Sequence, residues 1–313
     1  MKLPGTSLLL IVALVVLLAI GLILPQWALS FVSVALYLGI VVLGMALMMR
    51  TGLVSFGQGL YYCLGAYAAG TLDHFFKLSD LLLMVVAGAL VAGVVAVILG
   101  FLLSKYRDIF FAMLSLAFSM ILYGLLVKSS ELGSTDGFGL SVKTFAGIAI
   151  SAGAVRYTIY AFSAVLATLF AIGMHRYFNS HLGRLAGAIR DNELRVEYMG
   201  ASVRRVIHLN YVISAVLAGI GGALMAGAIG HVDPETTANW TTSGEFVFIA
   251  ILAGTGSVAA PFLGAGIFEA VRTFALQYFP NTWQMTLGIT MLLVIMFLPG
   301  GLWSVFGLRR RSA

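Results

Sequence analysis

Charged residues are what this sequence has least of: they occupy 10% of its 313 positions, against about 25% in an ordinary soluble domain. Hydrophobic residues reach 61%, and the mean hydropathy is +1.03. A soluble protein of this length needs polar residues to cover its outside, and too few are present. The composition therefore excludes a soluble globular protein and predicts a chain surrounded by a lipid bilayer.

Cysteine and the short motifs of metal and nucleotide chemistry are also scarce. The single cysteine, Cys63, permits neither an intrachain disulfide nor a thiolate metal site. The five histidines show no H-x-x-x-H or H-E-x-x-H spacing, so no zinc site is expected. No G-x-x-x-x-G-K-S/T motif occurs, so the chain has no P-loop with which to hydrolyse ATP. We expect this chain to bind no metal and no cofactor and to have no catalytic residues.

The remaining binding classes are disfavoured by where the residues fall. The 18 Lys and Arg exceed the 12 Asp and Glu and give a formal charge of +6, but they lie at the ends of apolar runs. Nucleic acid is therefore not an expected partner, because it requires cations on one exposed face. The glycine-rich stretch 254–266, GTGSVAAPFLGAG, invites a dinucleotide interpretation. That motif needs a preceding strand, and here apolar helices are expected on both sides.

The apolar runs have the length of membrane spans. A bilayer core about 30 Å thick is crossed by about 20 residues in a helix. Two interpretations stay open for the third, eighth and ninth runs, which are short or interrupted by glycine: full crossings or re-entrant half-spans. The predicted fold class is all-α, a polytopic transmembrane helical bundle of about ten spans in one domain over 1–313. The predicted spans are 8–24, 31–49, 57–72, 81–104, 109–128, 154–175, 207–229, 244–260, 261–278 and 284–299.

The first run has a second interpretation, as a cleaved signal peptide. Lys2 precedes it, and ALS at 28–30 faintly resembles a small-residue cleavage site. Its apolar stretch is longer than an ordinary signal core, which favours a first span.

The distribution of Lys and Arg predicts the orientation, because cationic loops tend to stay in the cytoplasm. An amino terminus inside places every strongly basic loop on the cytoplasmic side and puts both termini there. The loops 72–80, 128–143 and 231–240, which are acidic or mixed, then lie outside. The basic positions that this arrangement places inside are Arg50, Lys105, Arg107, the block 176–205 and Arg309–Arg311.

Small residues predict where helices approach closely. The run AVLAGIGGALMAGAIG at 215–230 is the densest of these stretches. Ala218 with Gly222, and Ala223 with Gly227, are small-xxx-small pairs on one helical face. Such faces bring helices together in lipid, where apolar surfaces gain little from association.

Two acids fall within the apolar runs, Glu245 near an end and Glu269. Glu269 lies three residues before Arg272, which places both side chains on one helix face and predicts an intramembrane ion pair. A structural pair and a role in gating or coupling both stay open. Neither acid has a nucleophile or base beside it in the sequence that indicates an enzyme.

The stretch 50–70, RTGLVSFGQGLYYCLGAYAAG, interrupts the apolar pattern with Ser55, Gln58 and several glycines. Polar groups at membrane depth are tolerated where they are buried in protein or face a water-filled cavity. One interpretation is a translocation path. The alternative is a tight helix turn whose glutamine caps local backbone groups.

The densest charge lies in 181–210, HLGRLAGAIRDNELRVEYMGASVRRVIHLN, which includes Arg184. Leu185 to Met199 predicts a short amphipathic helix that Gly200 ends. A solvated loop helix held by local ion pairs is one interpretation. A docking element for a cytoplasmic partner is the other, because about 30 residues are more than a connection between spans needs. The side chains predicted to make apolar contacts are Leu185, Ala188, Ile189 and Tyr198.

At this block the sequence resembles the LivM-type membrane subunits of bacterial ABC importers for branched-chain amino acids. The resemblance runs almost throughout 183–224, and four further stretches agree in the family's order. It covers most of the chain after residue 35, with departures at Leu132, Ser134 and Ala260 that leave the solute open. The four further stretches are TGLVSFGQGLYYCLGAYAAG, IFFAMLSLAFSMILY, GTGSVAAPFLGAGIFE and MFLPGGLWSVFGL.

The resemblance implies a permease subunit in the bacterial inner membrane, with a cytoplasmic coupling loop at about 176–206 that sits in a groove of an ATPase subunit. Arg190, Asp191, Asn192, Glu193 and Gly200 occupy the matching positions of that loop. The implied partners are a homologous LivH-like permease, two LivG/LivF-like ATPases that use ATP and magnesium, a periplasmic solute-binding protein and membrane lipid.

The solute and the energy source have alternatives. Related permeases carry urea, short amides or other amino acids, and a sugar permease has the same general architecture. A stand-alone secondary transporter or channel is the competing class, although such proteins place ionisable groups midway through broken helices. Within the pore, Ser55, Gln58 and Tyr67 are the candidates for lining a largely apolar path.

Overall fold

Helices make up most of the chain in the computed structural model, which describes residues 4–151, 153–297 and 301–303. Each of the ten predicted spans coincides with one helix of this part of the chain, and short helices occupy the loops. The long helices are α1 Pro4–Gly21, α2 Gln26–Arg50, α3 Gln58–Phe76, α4 Leu81–Leu103, α5 Asp108–Lys128, α6 Val155–Asn179, α9 Val203–Ile229, α11 Trp240–Ala253, α12 Ala260–Tyr278 and α13 Trp283–Phe297. The short ones are α7 His181–Asp191, α8 Glu193–Tyr198 and α10 Pro234–Thr237.

Five of these helices are long and apolar enough to cross a membrane: α2, α4, α5, α6 and α9. The predicted all-α bundle is thus confirmed as a mostly helical fold, while the count of ten crossings stays a prediction. Helix α1 packs along α6, where the Tyr160 hydroxyl donates to the Leu17 carbonyl at 2.7 Å. The basic run Arg309–Arg311 and most of the MFLPGGLWSVFGL stretch lie outside the described residues.

Helix α9 lies at the centre of the bundle, against α2, α3 and α4. Gly222 faces the Tyr62 carbonyl of α3, and a methyl group at Gly219 would lie 2.7 Å from the Gly88 carbonyl of α4. Ala218 is fully buried in the same face. The predicted small-residue face of 215–230 is therefore confirmed as the surface on which three neighbouring helices close.

The loops gather at two opposite ends of the bundle, as the charge distribution predicted. At one end, here called the α7–α8 end, the Arg50 guanidinium donates to the Thr255 carbonyl at 2.6 Å and lies 3.8 Å above the Phe178 ring. This contact joins the ends of α2 and α6 to the α11–α12 turn. That turn, the centre of the glycine-rich stretch 254–266, has helices on both sides, as expected.

The loops 72–80, 128–143 and 231–240 meet at the other end, here called the strand end. Strand β1, Phe138–Gly139, pairs antiparallel with β4, His231–Val232. Asp80 caps α4 and holds the neighbouring hairpin, because its Oδ2 accepts from the Gly147 amide at 2.8 Å. Which end faces the cytoplasm stays a prediction. The hairpin consists of β2, Thr144–Phe145, and β3, Ile148–Ala149.

Candidate functional site

The charged block at the α7–α8 end folds into two helices rather than the single helix predicted over Leu185–Met199. The backbone leaves the helix at Asn192, where φ is −162° and ψ is 101°, and the Asn192 Oδ1 accepts from the Arg195 amide at 3.0 Å. Asn192 is therefore the N-cap of α8. Helix α7 begins in the same way, with the Ser180 hydroxyl accepting from the Gly183 amide at 3.3 Å.

Each helix buries a narrow apolar face against the bundle. Ala186 and Ile189 of α7 are buried, and Val196 is the buried contact of α8. The apolar contact predicted for Tyr198 is not made, because Tyr198 lies nine residues beyond the buried Ile189, and even one continuous helix would place it on the opposite side. Tyr198 is instead 89% exposed.

Helix α8 is anchored to the loop between α4 and α5. The Arg107 guanidinium holds both Glu193 carboxylate oxygens, with Nε at 2.9 Å from Oε1 and 3.0 Å from Oε2. Its Nη1 donates to the Ser104 carbonyl at 2.8 Å. A bidentate arginine–carboxylate pair fixes orientation as well as distance, so α8 and the α4–α5 loop are held as one unit. No local pattern indicates that Arg107 is the partner of Glu193, because 86 positions separate them.

The outward face of α7 and α8 combines charge with apolar side chains. Leu194 and Met199 are each 65% exposed and lie on either side of Tyr198. Among the predicted coupling residues, Glu193 is half-buried and is the one bonded to a distant loop, while Asn192 is engaged locally as the cap of α8. The other predicted coupling residues, all exposed, are Arg184, Arg190, Asp191, Asn192 and Gly200.

The predicted path residues lie inside the bundle. Ser55 is 1% exposed and Gln58 is 2% exposed. The Gln58 amide nitrogen donates to the Ser214 hydroxyl of α9, and its Oε1 is buried without a partner among the described residues. The Tyr67 hydroxyl is also buried without a hydrogen-bond partner in the described chain. The alternative of a turn whose glutamine caps local backbone groups is not what is found, because the Gln58 side chain reaches Ser214 of α9 instead, and the path interpretation stays a prediction.

A cavity that opens at the strand end lies away from these residues. Its volume is about 440 Å³, and it is bounded by the segment 140–150, the start of α6 and the end of α9. Lys143 and Arg156 contribute its cationic groups. The predicted path residues are not among those that line it, so they become accessible only if neighbouring segments move.

The spacing of Glu269 and Arg272 predicts a pair, but the structure gives Arg272 a different partner. Its Nη1 lies 3.6 Å from Oε2 of Glu245 on α11, and its guanidinium lies 5.7 Å from the Trp283 ring centroid. Glu269 keeps a buried Oε2 without a hydrogen-bond partner in the described part of the chain. The long arginine side chain reaches the neighbouring helices, which spacing along one helix does not reveal.

Comparison with known proteins gives the family of this chain. Residues 27–296 match the family described as "Branched-chain amino acid transport system / permease component". The chain belongs to this permease family. As a family member with several long apolar helices, it is a multi-pass membrane protein and a transport subunit. The resemblance drawn from the sequence is thereby confirmed.

Relatives of this permease carry the names LivM and LivH. The high-affinity branched-chain amino acid permease protein LivM of Escherichia coli is 29% identical over 88% of this chain and 68% of the relative. LivM of Salmonella typhimurium is 28% identical over 80% of this chain and 64% of the relative. The probable LivH of Methanocaldococcus jannaschii is 25% identical over 79% of this chain and 80% of the relative. No solved structure matches this permease.

Proposed function

We propose that this chain is one of two homologous membrane subunits of an ATP-driven importer for branched-chain amino acids. In this proposal the α7–α8 end and both termini face the cytoplasm of a bacterium, and the chain lies in the inner membrane. Two cytoplasmic ATPases bind and hydrolyse ATP with magnesium, and a periplasmic binding protein delivers the solute to the strand end. The names of the LivM and LivH relatives support the solute class and the paired permeases.

The observation that carries the proposal is the outward face of α7 and α8. An exposed tyrosine between two exposed apolar residues, Leu194 and Met199, is unusual on a surface that water covers, and such clusters mark protein interfaces. The bidentate pair of Arg107 and Glu193 behind this face fixes it to the α4–α5 loop. A force applied to α8 by a partner therefore reaches two membrane helices directly.

Coupling requires that the ATPases contact this face differently in their ATP-bound and empty states. A partner with equal affinity for both permease conformations shifts neither of them. Helix α8 can transmit the movement of an ATPase to the membrane helices, because it is short, capped at Asn192 and held by Arg107 at Glu193. Alternating opening of the strand end and the α7–α8 end then follows the ATP cycle.

The proposal is tested by purifying the chain with its genetic neighbours and reconstituting the complex in proteoliposomes. We expect a second permease and two P-loop ATPases to copurify, and expect ATP-driven uptake of leucine, isoleucine and valine with the cognate binding protein. If the complex takes up urea, a short amide or a sugar instead of these amino acids, it is still an ATP-driven importer, but the proposed solute is wrong. A complex that hydrolyses ATP without moving any of these solutes contradicts the proposal.

Tyr198→Ala tests whether the outward face of α7 and α8, here called the docking face, binds the ATPases. Because Tyr198 is 89% exposed within this chain, its removal leaves the bundle intact and weakens copurification of the ATPases. A matched control is Tyr278→Ala, which removes a 60% exposed tyrosine from the end of α12. Equal ATPase recovery from both variants places the docking face elsewhere.

A stand-alone secondary transporter is the second candidate, and one observation favours it. Glu269 lies in the middle of α12 with a buried oxygen that has no hydrogen-bond partner among the described residues, and such groups mark ion pathways in secondary transporters. Uptake that follows a proton or sodium gradient and ignores ATP would identify this class.

A further inference from the structure

Two helices of this permease begin beside the middle of a long neighbouring helix rather than at either end of the bundle. Helix α3 begins at Gln58, whose side chain contacts Ser214, the twelfth of the 27 residues of α9. Just before α11, the Ala238 carbonyl accepts from the hydroxyl of Ser119, the twelfth of the 21 residues of α5, at 3.2 Å. Both starting points therefore lie beside the middle of a long helix. Helix α11, with 14 residues, is about 21 Å long and shorter than a bilayer core of about 30 Å.

The two helices are reached from opposite ends. The segment 51–57 turns back into the bundle from the α7–α8 end and leads into α3, whereas 230–239 enters from the strand end and leads into α11. Their first turns touch: the Gly59 amide donates to the Ser243 hydroxyl at 3.0 Å. A methyl group at Gly59 would lie 2.6 Å from the same oxygen, so only glycine permits this approach.

The N-terminus of a helix carries unsatisfied amide donors and the positive end of the helix dipole. Two such ends meet here, away from any described carboxylate that binds them. A serine hydroxyl from the segment before α3 adds a donor. Ser55 accepts from the Gly57 amide at 3.2 Å and can turn its own hydrogen toward a bound anion. Ser115 of α5 accepts from the Phe56 amide at 3.1 Å and gives its own hydrogen to the Ala112 carbonyl at 2.8 Å.

An independent observation at the same place indicates a ligand. Gln58, the first residue of α3, is 2% exposed, and its Oε1 is buried without a hydrogen-bond partner in the described chain. A buried acceptor without a partner is destabilising, and such atoms in native proteins call for an explanation. A donor supplied by a bound solute removes this destabilisation. The first turns of α3 and α11 thus offer one vacant acceptor at Gln58, the hydroxyl hydrogen of Ser243, and the Gly59 amide that Ser243 holds in this conformation.

We infer that the first turns of α3 and α11 form the translocation site for the charged end of a zwitterionic α-amino acid. The carboxylate receives a hydrogen bond from the Ser243 hydroxyl and takes the place of the Ser243 Oγ as acceptor of the Gly59 amide, and the ammonium group donates to the Gln58 Oε1. No full charge of the protein is needed, because helix ends and hydroxyls match a group that carries both signs. Weak neutral partners also permit release, which a transport site requires.

The segment 230–239 covers this site from the strand end. Gly70 lies eleven residues, about three turns, beyond Gly59 on the same face of α3, and Tyr67 lies three residues before Gly70. Tyr67 contacts the Phe138 ring edge-on, with centroids 5.6 Å apart, and Gly70 packs against the same ring. Phe138 is paired with Val232. Withdrawal of this strand pair and of 230–239 would uncover the α3 face from Gly70 down to Gly59.

The inference rests on the proposed function and is tested in the complete transporter, reconstituted with its ATPases, second permease and binding protein. Ser243→Cys is introduced in a Cys63→Ser background, and a methanethiosulfonate reagent is added during ATP turnover. We expect labelling of the new thiol, slowed severalfold by L-leucine and much less by 3-methylbutylamine, which has the same side chain and amine but no carboxylate. Ser163→Cys, a buried serine of α6, is the control and shows no such protection.

A second variant gives a transport readout. Ser243→Ala removes one hydrogen bond to a charged group, which corresponds to a rise in the KM for uptake of about tenfold. ATP-driven uptake by the parent complex tests the proposed function separately. Intact parent uptake with no labelling at position 243 during turnover, or with equal protection by the amine, overturns the inference. An unchanged KM for Ser243→Ala overturns it as well.

Discussion

The Arg107 guanidinium clamps the Glu193 carboxylate from the far side of the α4–α5 loop, with its Nη2 2.6 Å from Oε1. The two side chains are 27% and 33% exposed, so solvent screens their attraction and their direct contribution to stability is at most about 1 kcal/mol. The bidentate geometry matters more than the energy. It determines the direction in which α8 leaves the bundle.

We expect Glu193→Gln to uncouple ATP hydrolysis from uptake while the protein still inserts. The amide keeps the size of the side chain but loses the charge-assisted pair with Arg107, so α8 is held less firmly and transmits less of the ATPase movement. The measurement is solute imported per ATP hydrolysed in proteoliposomes. Glu197→Gln is the matched control, because Glu197 is exposed on the same helix. A normal ratio for the Glu193 variant contradicts the docking assignment.

Gly200→Ala tests the turn that follows α8. Gly200 has a φ of +83°, where an alanine costs about 1–2 kcal/mol, and nothing within 4 Å would meet the added methyl. The strain therefore falls on the backbone, and we expect lower import per ATP with normal insertion. Gly187→Ala in α7 also places its methyl in open space and should leave this ratio unchanged. Equal behaviour of the two variants would show that the turn does not determine coupling.

Gly222→Ala tests the central contact of the bundle. A methyl at this position collides with the Tyr62 carbonyl of α3, and backbone cannot move aside as a flexible side chain does. We expect a lower thermal midpoint in detergent, measured by fluorescence-detected size exclusion, and reduced yield. Gly173→Ala in α6 has nothing within 4 Å and should behave as the parent or slightly better, because alanine favours the helix. Matching midpoints for the two variants would contradict the close packing of α3 on α9.

Asp80 makes the strand end sensitive to acid. Partial desolvation opposes its charge, but hydrogen bonds from the Gly147 and Leu83 amides and the Thr144 hydroxyl outweigh it and lower the pKa of Asp80. A carboxylate whose folded-state pKa lies below its unfolded value stabilises the fold above that unfolded value, about 3.9. This stabilisation is lost as the pH falls through the folded-state pKa.

We therefore expect segment 140–151 to be resistant to proteolysis at neutral pH and to lose that resistance with acid-stable pepsin below about pH 4. Asp80→Asn should be cleaved at neutral pH, because it loses the charge that the amides bind. Asp136→Asn, a change at an exposed acid of the same end, is the control. Unchanged cleavage of the Asp80 variant would show that other contacts hold the hairpin.

For Ser55, Gln58 and Tyr67, the sequence predicts burial within the protein but not the neighbouring residues. The polar break in an apolar run indicates that these residues are enclosed by protein, since lipid would not tolerate them, and all three are buried. The sequence does not reveal that Gly59 touches Ser243, because 184 positions separate them. The same limit applies to Arg272, whose spacing indicates Glu269 but whose guanidinium reaches Glu245.

Composition and periodicity by themselves determined that this chain lies in a bilayer, where its helices fall and which loops share an end. These properties depend on the solubility of each segment and on the tendency of cations to stay on one side, and both are local. The tertiary structure alone decided the break at Asn192, the clamp on Glu193 and the meeting of α3 with α11. Those depend on which side chains from distant segments share one place, and a linear pattern carries no distance between segments.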